Sequence, residues 1–300
     1  MARGLGERQL VWLDLAERDE ALIERLAAAA DLPEPFLRDL AAAHERAQLR
    51  RLDDFVRLTV VTVAGTGDGH SLQRVSLDIV AGPGVIATIH DGASQVVEDA
   101  FEQLQGESRL GALDAGSMLA ILVDVGLSSY FRQVEEIERT IDELDELVLG
   151  PTRESEQVLE RLADMRHRLA IVRRTLSPHR EAFSPFGRPD FELHEELGRP
   201  WPGLIDRLGQ AILAVENAWT LLVGSFDIYI GRAAQRSNDV MKVLTLLSAV
   251  LLPAVVLAGI FGMNFKLPIF DRAENIWLIV GAMVVLAATI LLGARWRGWL

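Results

Sequence analysis

The chain of 300 residues contains no cysteine, which excludes disulfide bonds and thiolate metal ligands. It shows no Walker-type Gly-rich loop for ATP and no convincing pairing of a nucleophile with a base, so we do not expect an enzyme. The apolar run 10–15 is short and acidic residues follow it, and we therefore expect no signal peptide. None of the six histidines lies in the long apolar segments near residue 300, where Zn²⁺ would need ligands for direct binding.

Positive charge is also scarce, with 30 basic against 43 acidic side chains. All but four of the basic and all but two of the acidic residues precede residue 243, so residues 1–242 carry a net charge of −15. This balance argues against nucleic acid as a partner. A summed negative field attracts cations, but the charge alone is more simply explained by solubility.

Two uncharged apolar segments, residues 243–262 and 276–294, close the sequence. Each is long enough to cross about 30 Å of hydrocarbon at about 1.5 Å per helical residue, which predicts a membrane hairpin. Five basic residues flank the outer ends of the pair and two lie in its loop: Arg232, Arg236, Lys242, Arg295 and Arg297 against Lys266 and Arg272. This bias predicts a multi-pass protein of the inner (plasma) membrane with both termini in the cytoplasm.

The first 200 residues predict an α+β domain, a small mixed sheet with helices around it. The pattern indicates strands at 10–15, 55–64, 74–80 and 85–90, and helices at 18–30, 35–47, 94–104, 117–149 and 154–176, the last ending near Pro178. An acidic run at 135–146 faces arginines on the next helix (Arg166, Arg168, Arg173 and Arg174), which predicts an antiparallel pair held by charge. Attraction of cations near the membrane is the alternative function of that run.

From residue 202 the helical pattern continues to residue 262 without a clear stop, and Pro253 should bend this helix. We therefore divide the chain into a cytoplasmic αβα-type domain with a helical pair (1–200), a stalk helix (201–242) and the transmembrane hairpin (243–300), with spans at about 243–262 and 276–294.

One face of this long helix is unusual. Steps of four and three residues select Asp227, Gly231, Ala234, Asn238, Met241, Thr245, Ser248, Leu252, Val255, Gly259 and Gly262. A spacing that averages 3.5 keeps one face on the axis of a supercoiled bundle, where large apolar residues are usual. Most of these residues are small or polar, which predicts a pore with polar rings at Asp227, Asn238, Thr245 and Ser248, and dry constrictions at Met241 and Leu252. Close packing through small residues is the alternative.

Three stretches carry a family resemblance: residues 237–245, Pro253, and residues 258–265, which include Gly262-Met263-Asn264. They resemble the CorA magnesium transporters, with Phe261 where the family usually has Tyr. The motif is specific because it stands at the outer end of the first of two C-terminal apolar segments. The resemblance implies a homopentameric, channel-type transporter of divalent cations in the lipid bilayer, most of all Mg²⁺ and also Co²⁺ and Ni²⁺. It implies no bound cofactor other than Mg²⁺ as transported and regulatory ion.

The resemblance also implies roles for particular residues. Gly262, Met263 and Asn264 match the selectivity filter, Asn238 and Met241 the inner mouth, and Leu244 and Leu252 the apolar constrictions; Val255 stands where a polar threonine is common. Family members close when Mg²⁺ binds acidic residues between cytoplasmic domains. Gly203 occupies the position where we would seek such a carboxylate, which leaves its neighbour Asp206 as a candidate.

The choice of ion stays open at this point. Mg²⁺ prefers oxygen ligands and sheds its waters reluctantly, so a ring of Asn264 amide and Gly262 carbonyl oxygens suits the hydrated ion. However, Lys266 lies in a loop that is often acidic in the family. A ZntB-like Zn²⁺ transporter of the same fold, or a membrane-anchored sensor that does not conduct, are the alternatives.

Overall fold

A computed structural model describes residues 10–30, 32, 35, 39–66, 71–105, 113–150, 155–187, 201–262 and 275–299. Contacts divide the chain into two compact units, Met1–Phe226 and Asp227–Leu300, which we call the sheet unit and the apolar unit. The boundary falls within one long helix, and the division at residues 200 and 242 stays a prediction.

The sheet unit contains a mixed sheet, as predicted, but with five strands instead of the four predicted. Its strands are β1 (Val11–Leu15), β2 (Gln48–Leu52), β3 (Phe55–Gly65), β4 (Leu72–Gly82) and β5 (Val85–His90). The spatial order is β1-β5-β4-β3-β2, with β1 and β5 parallel and all other neighbours antiparallel. Strand β2 was not predicted.

Residues 41–47 are irregular, so the helix predicted over 35–47 is wrong in this part. The carbonyl oxygens of Leu40 and Ala42 accept hydrogen bonds from Nη1 of Arg18, at 3.0 and 3.4 Å. The last carbonyls of a helix have no N–H donor within it, and here Arg18 supplies one. A tertiary contact thus outweighs the local helix propensity of an Ala-rich stretch.

Helices cover both faces of the sheet. Helix α1 (Glu20–Ala30) packs on one face through a buried cluster that includes Ile23, Leu26, Val80 and Ile89. Helix α2 (Gln95–Gln105) follows β5, and the long helices α3 (Ala115–Leu149) and α4 (Ser155–Phe183) lie on the other face. Helix α3 approaches β3 closely at Gly126, because a Cβ there would lie 3.1 Å from Cγ1 of Val60.

Helices α3 and α4 form the predicted antiparallel pair. Nη2 of Arg168 lies 2.9 Å from Oε1 of Glu136, and Arg161 lies 4.0 Å from Glu143. A later residue of α3 thus contacts an earlier residue of α4, so the two helices are antiparallel. Helix α4 does not end near Pro178, as predicted, but continues to Phe183, followed by a short 3₁₀ turn, Ser184–Gly187. Phe183 is buried beyond the proline, and this burial offsets the lost backbone hydrogen bond.

Two helices complete the hydrogen bonds of β3 beyond the end of β2. The Val61 N–H donates to Nε2 of His179 at 3.2 Å, and the Val61 carbonyl accepts from the Tyr130 hydroxyl. His179 donates through Nδ1 to the Leu176 carbonyl, also at 3.2 Å, and burial lowers its pKa to about 4. A neutral imidazole therefore anchors α4 to the sheet.

The first part of helix α5 (Trp201–Phe261) packs within the sheet unit. Its buried positions alternate in steps of three and four: Trp201, Leu204, Leu208, Ala211, Val215, Ala218, Leu222 and Ser225. Polar contacts to α3 accompany this face. Oγ of Ser225 donates to Asp145 at 3.0 Å, while Arg207 pairs with Asp124 and donates to Oγ of Ser128 at 2.9 Å.

The apolar unit contains the rest of α5 and helix α6 (Asn275–Trp296). Both helices include a segment long and apolar enough to cross a membrane. The least exposed positions recur every three or four residues: Lys242, Leu246, Val250, Pro253 and Leu257 on α5, and Ile279, Met283, Ala287, Ile290 and Ala294 on α6. Helix α5 continues through Pro253 to Phe261, and a bend there stays a prediction.

Candidate functional site

The predicted stripe lies on α5, and the structure leaves it exposed along its whole length. Met241, Leu244, Leu252 and Val255 have between 54% and 67% of their surface exposed. At about 100° per residue, the stripe from 241 to 262 points roughly opposite to the face that is half-buried within the same unit. The stripe therefore lies within the part of α5 that the described part of its own unit leaves uncovered, a part that also includes Val243, Leu247 and Val256.

The polar members of the stripe present unused hydrogen-bonding groups. Oγ1 of Thr245 donates to the Met241 carbonyl at 2.7 Å, so its proton is engaged while its lone pairs are free to accept. The side chains of Asp227 and Asn238 make no hydrogen bond or ion pair within the described residues. Neutral and anionic oxygens on one face are suited to accept hydrogen bonds from the water shell of a cation.

A charged pair lies beside the stripe, next to Asn238 in the sequence. Nζ of Lys242 lies 2.9 Å from Oδ1 of Asp239, which also accepts from the Gln235 amide at 3.2 Å. Because Lys242 is paired and lies on the half-buried face, its charge is partly neutralised and displaced from the stripe.

Helix α5 ends at Phe261, immediately before the Gly-Met-Asn motif. The Gly262 N–H still donates to the Ala258 carbonyl at 2.9 Å. Met263 and Asn264 lie outside the described residues, so their predicted role in a selectivity filter stays a prediction.

The regulatory metal site is not located by the structure. Asp206 is exposed near the start of α5, beside Arg207, which contacts α3. Within the described residues, no group of three or more histidine or acidic side chains is arranged to hold a metal ion. Asp206 therefore stays a prediction.

Sequence reasoning missed a buried charge cluster on the α1 face of the sheet. Asp78 accepts hydrogen bonds from Nη2 of Arg57 at 2.9 Å and from the Thr59 hydroxyl, and its other oxygen lies 2.7 Å from Nη1 of Arg18. Nη2 of Arg57 also lies 2.7 Å from Nδ1 of His44, whose pKa is lowered by burial and by the Arg57 charge. The alternation of side chains along β3 and β4 places Arg57 and Asp78 on the face of the sheet that α1 covers. This alternation is the only signal of the cluster in the sequence.

A second polar cluster joins the parallel strands β1 and β5. Nδ1 of His90 lies 2.7 Å from the Gly92 carbonyl, and Nε2 lies 3.4 Å from Oδ2 of Asp14. Asp14 also accepts from the Thr88 hydroxyl, which in turn accepts from the Trp12 indole at 3.0 Å. These contacts hold the edge strand β1 in place and are remote in sequence from the stripe.

The profile of the family described as CorA-like Mg²⁺ transporter protein matches residues 7–293. The chain belongs to this family. It is 24% identical over 267 residues to the cobalt/magnesium transport protein CorA of Thermotoga maritima, covering 88% of this chain and 76% of the relative. It is likewise 24% identical over 238 residues to the zinc transport protein ZntB of Yersinia enterocolitica, covering 78% and 70%.

The fold agrees with this membership. The complete structure of the CorA magnesium transporter from Methanocaldococcus jannaschii superposes with a TM-score of 0.77 at 20% identity, covering 97% of this chain and 92% of that one. The α+β domain, the long helix and the C-terminal helix are therefore confirmed as a CorA-like fold. The chain is a divalent-cation transporter of a membrane family.

Proposed function

We propose that the chain is a channel-type transporter that conducts hydrated divalent cations, with Mg²⁺ preferred and Co²⁺ and Ni²⁺ as mimics. The observation that carries the proposal is the exposed stripe on α5, which ends at Gly-Met-Asn. Its small and polar residues stand where a packed helix pair would have large apolar ones. Transport needs no ATP, because the ions move down their electrochemical gradient.

A pore requires several copies, and we propose a homopentamer on the resemblance to CorA. Within one chain the stripe faces away from the half-buried side of the apolar unit, so symmetric copies would place their stripes around a common axis. Asp227, Asn238, Thr245 and Ser248 would then form polar rings. Met241, Leu244, Leu252 and Val255 would form apolar ones that exclude water when narrow.

The preference for Mg²⁺ rests on oxygen chemistry. The stripe and motif offer amide, hydroxyl, carboxylate and carbonyl oxygens, without histidine or cysteine. Mg²⁺ keeps several of its waters, and such oxygens accept hydrogen bonds from them without replacing them. We place both termini in the cytoplasm of a cell whose inner (plasma) membrane holds the hairpin.

The proposal is tested by uptake into liposomes that contain the purified full-length chain. We expect Mg²⁺ to enter and Co²⁺ to compete. Asn264→Ala should reduce uptake to the level of empty liposomes, because the ring of amide oxygens at the motif is lost. The matched control is Asn217→Ala, which removes an exposed amide from α5 within the sheet unit.

Two results would contradict the proposal. Near-normal flux through the Asn264→Ala variant, in assemblies of unchanged size, would remove this residue from the mechanism. Absence of flux through the wild-type protein for every divalent ion would favour a membrane-anchored sensor that does not conduct.

A ZntB-like Zn²⁺ transporter is the second candidate. ZntB proteins are among the relatives at similar identity, and the loop begins with Phe265-Lys266 where acidic residues are frequent in CorA. Hydrated Zn²⁺ would need no direct histidine or cysteine ligand in the pore. Competition between equal concentrations of Mg²⁺ and Zn²⁺ in the same liposomes decides between the two.

We further propose that cytoplasmic Mg²⁺ favours the closed state by bridging carboxylates of neighbouring copies, with Asp206 as a weak candidate ligand. The net charge of −15 on residues 1–242 supports this, since a divalent ion relieves repulsion between carboxylates. Millimolar Mg²⁺ should protect the sheet unit from protease and reduce flux. If neither responds, the family's mode of gating does not apply.

A further inference from the structure

We propose that the C-terminal end of α6 binds the headgroup of an anionic phospholipid. This inference rests on the membrane placement of α6 in the proposed function. The residues that carry it are Arg295, Trp296, Arg297 and Trp299, which we call the terminal cluster.

The length of α6 matches a bilayer and tryptophans mark its two ends. Trp277 and Trp296 are nineteen residues apart, about 28 Å along a helix, close to the thickness of a hydrocarbon core of about 30 Å. They have 77% and 95% of their surface exposed. Tryptophan side chains favour the membrane–water interface, so the terminal cluster should lie at headgroup depth.

The helix end is a defined turn. The Trp299 N–H donates to the Ala294 carbonyl at 2.9 Å and the Gly298 N–H to the Arg295 carbonyl at 3.0 Å. Gly298 has φ +71°, which completes a Schellman motif. The turn fixes the backbone from which the terminal cluster projects. Arg295 and Arg297 are two residues apart and point to different sides of the helix end, so each can reach the headgroup layer separately.

The two arginines have no partner among the described residues. Their side chains are exposed and make no hydrogen bond or ion pair within the described residues. The other cations described in this unit, Arg232, Arg236 and Lys242, all have interactions. Capping of the helix does not need the guanidinium groups either, because backbone N–H groups already bond to the carbonyls of Ala294 and Arg295.

Charge and geometry identify the occupant. A guanidinium group donates two parallel hydrogen bonds to phosphate oxygens, and an indole N–H donates one more. Membrane-adjacent arginines are attracted to anionic lipid, which corresponds to about a fivefold gain in binding for each. A phosphodiester at headgroup depth is therefore the ligand that fits each arginine of the terminal cluster, beside its interfacial tryptophans.

The experiment uses the full-length chain in vesicles of phosphatidylcholine that contain a tenth of brominated lipid, either phosphatidylglycerol or phosphatidylcholine. Bromine quenches tryptophan at close range, so the ratio of quenching measures the preference for the anionic headgroup. We expect a clear preference for phosphatidylglycerol in the wild type and a ratio near unity for the double variant Arg295→Gln, Arg297→Gln. The conservative pair Arg295→Lys, Arg297→Lys should retain part of the preference, which shows that the end still folds.

The matched control is Lys242→Gln, which removes a cation already paired with Asp239. It should leave the ratio unchanged. The inference is overturned if the wild type shows no preference, if the glutamine variant keeps it, or if millimolar inorganic phosphate abolishes it, since the site would then bind free anions. Uptake measured in the same vesicles separates this result from transport: loss of uptake with an intact lipid preference removes only the proposed function.

Discussion

The two compact units place charged and apolar side chains in opposite ways. The sheet unit buries Arg18, Arg57 and Asp78 together and covers its apolar core with helices. The apolar unit exposes large apolar residues on most faces, and Arg295 and Arg297, at one end of α6, have no partner among the described residues. The first pattern suits a domain in water, and the exposed apolar residues of the second suit lipid.

Helix α5 takes part in both units and keeps one spacing throughout. In the sheet unit, steps of three and four select a buried face with Leu204, Leu208 and Leu222. In the apolar unit, steps of the same size select an exposed stripe with Asn238 and Thr245. The repeat sets which residues share a face, while the residue types and their neighbours decide whether that face packs against its own chain or stays exposed.

The largest effect should come from the buried charges of the sheet unit. Arg57→Met leaves the Asp78 carboxylate with one fewer buried partner, and such a change typically costs about 3–5 kcal/mol. We expect a large loss of stability, measured by hydrogen exchange of the β3 and β4 amides in the full-length chain.

The matched control for this change is Arg74→Met. Arg74 is about half exposed and its ion pair with Glu45 spans 3.5 Å, so the loss should stay below about 1 kcal/mol. Equal losses for the two variants would show that burial does not distinguish these ion pairs.

The next effect separates the two halves of α5. Leu208 is 3% exposed, and Leu208→Ala should destabilise the sheet unit by about 2–5 kcal/mol through the lost contacts and the cavity. Leu252 is 65% exposed, and Leu252→Ala should change stability little but raise resting ion flux if it widens a dry constriction.

Thermal unfolding and liposome flux are measured on both leucine variants. A fall in stability for Leu252→Ala as large as for Leu208→Ala would place that leucine in a packed interface. Unchanged flux, with normal assembly, would remove Leu252 from the constriction.

Most elements of the fold could be predicted because their patterns are local. The alternation of β4 and β5 and the long repeat of α5 depend on neighbouring residues and require no knowledge of distant ones. Strand β2 could not be predicted, since its sequence, Gln48–Leu52, contains two arginines and pairs with β3 at one edge. The continuation of α4 past Pro178 depends on the burial of Phe183, which only the tertiary structure supplies.

The candidate site also has features that the sequence could predict and features that it could not. The stripe was visible because one helix carries it, and the motif because a family resemblance supplies its meaning. The regulatory carboxylates would come from different copies, so no spacing within one chain identifies them. The Asp78 cluster joins the segment after β1 to two strands, and its members become neighbours only when the sheet forms.

The smallest effect concerns pH and the pair that holds the edge strand β1. Both ring nitrogens of His90 contact acceptors, the Gly92 carbonyl and the Asp14 carboxylate, so the imidazolium form satisfies both. The hydrogen bond to Asp14 raises the pKa of His90 above its usual 6.5 despite the opposing effect of burial. For Asp14, burial raises the pKa, but the bonds from His90 and Thr88 outweigh it and the net pKa is lowered from 3.8.

A group whose pKa is raised on folding contributes its full stabilisation when the pH is below its pKa in the unfolded state. This contribution is lost as the pH rises through its pKa in the folded state. His90→Gln should therefore lower the melting temperature at pH 5 by less than about 4 °C, and by less still at pH 9. The control is His167→Gln, on the exposed face of α4. A larger loss at pH 9 than at pH 5 would show that the neutral imidazole, rather than the imidazolium, holds β1 against β5.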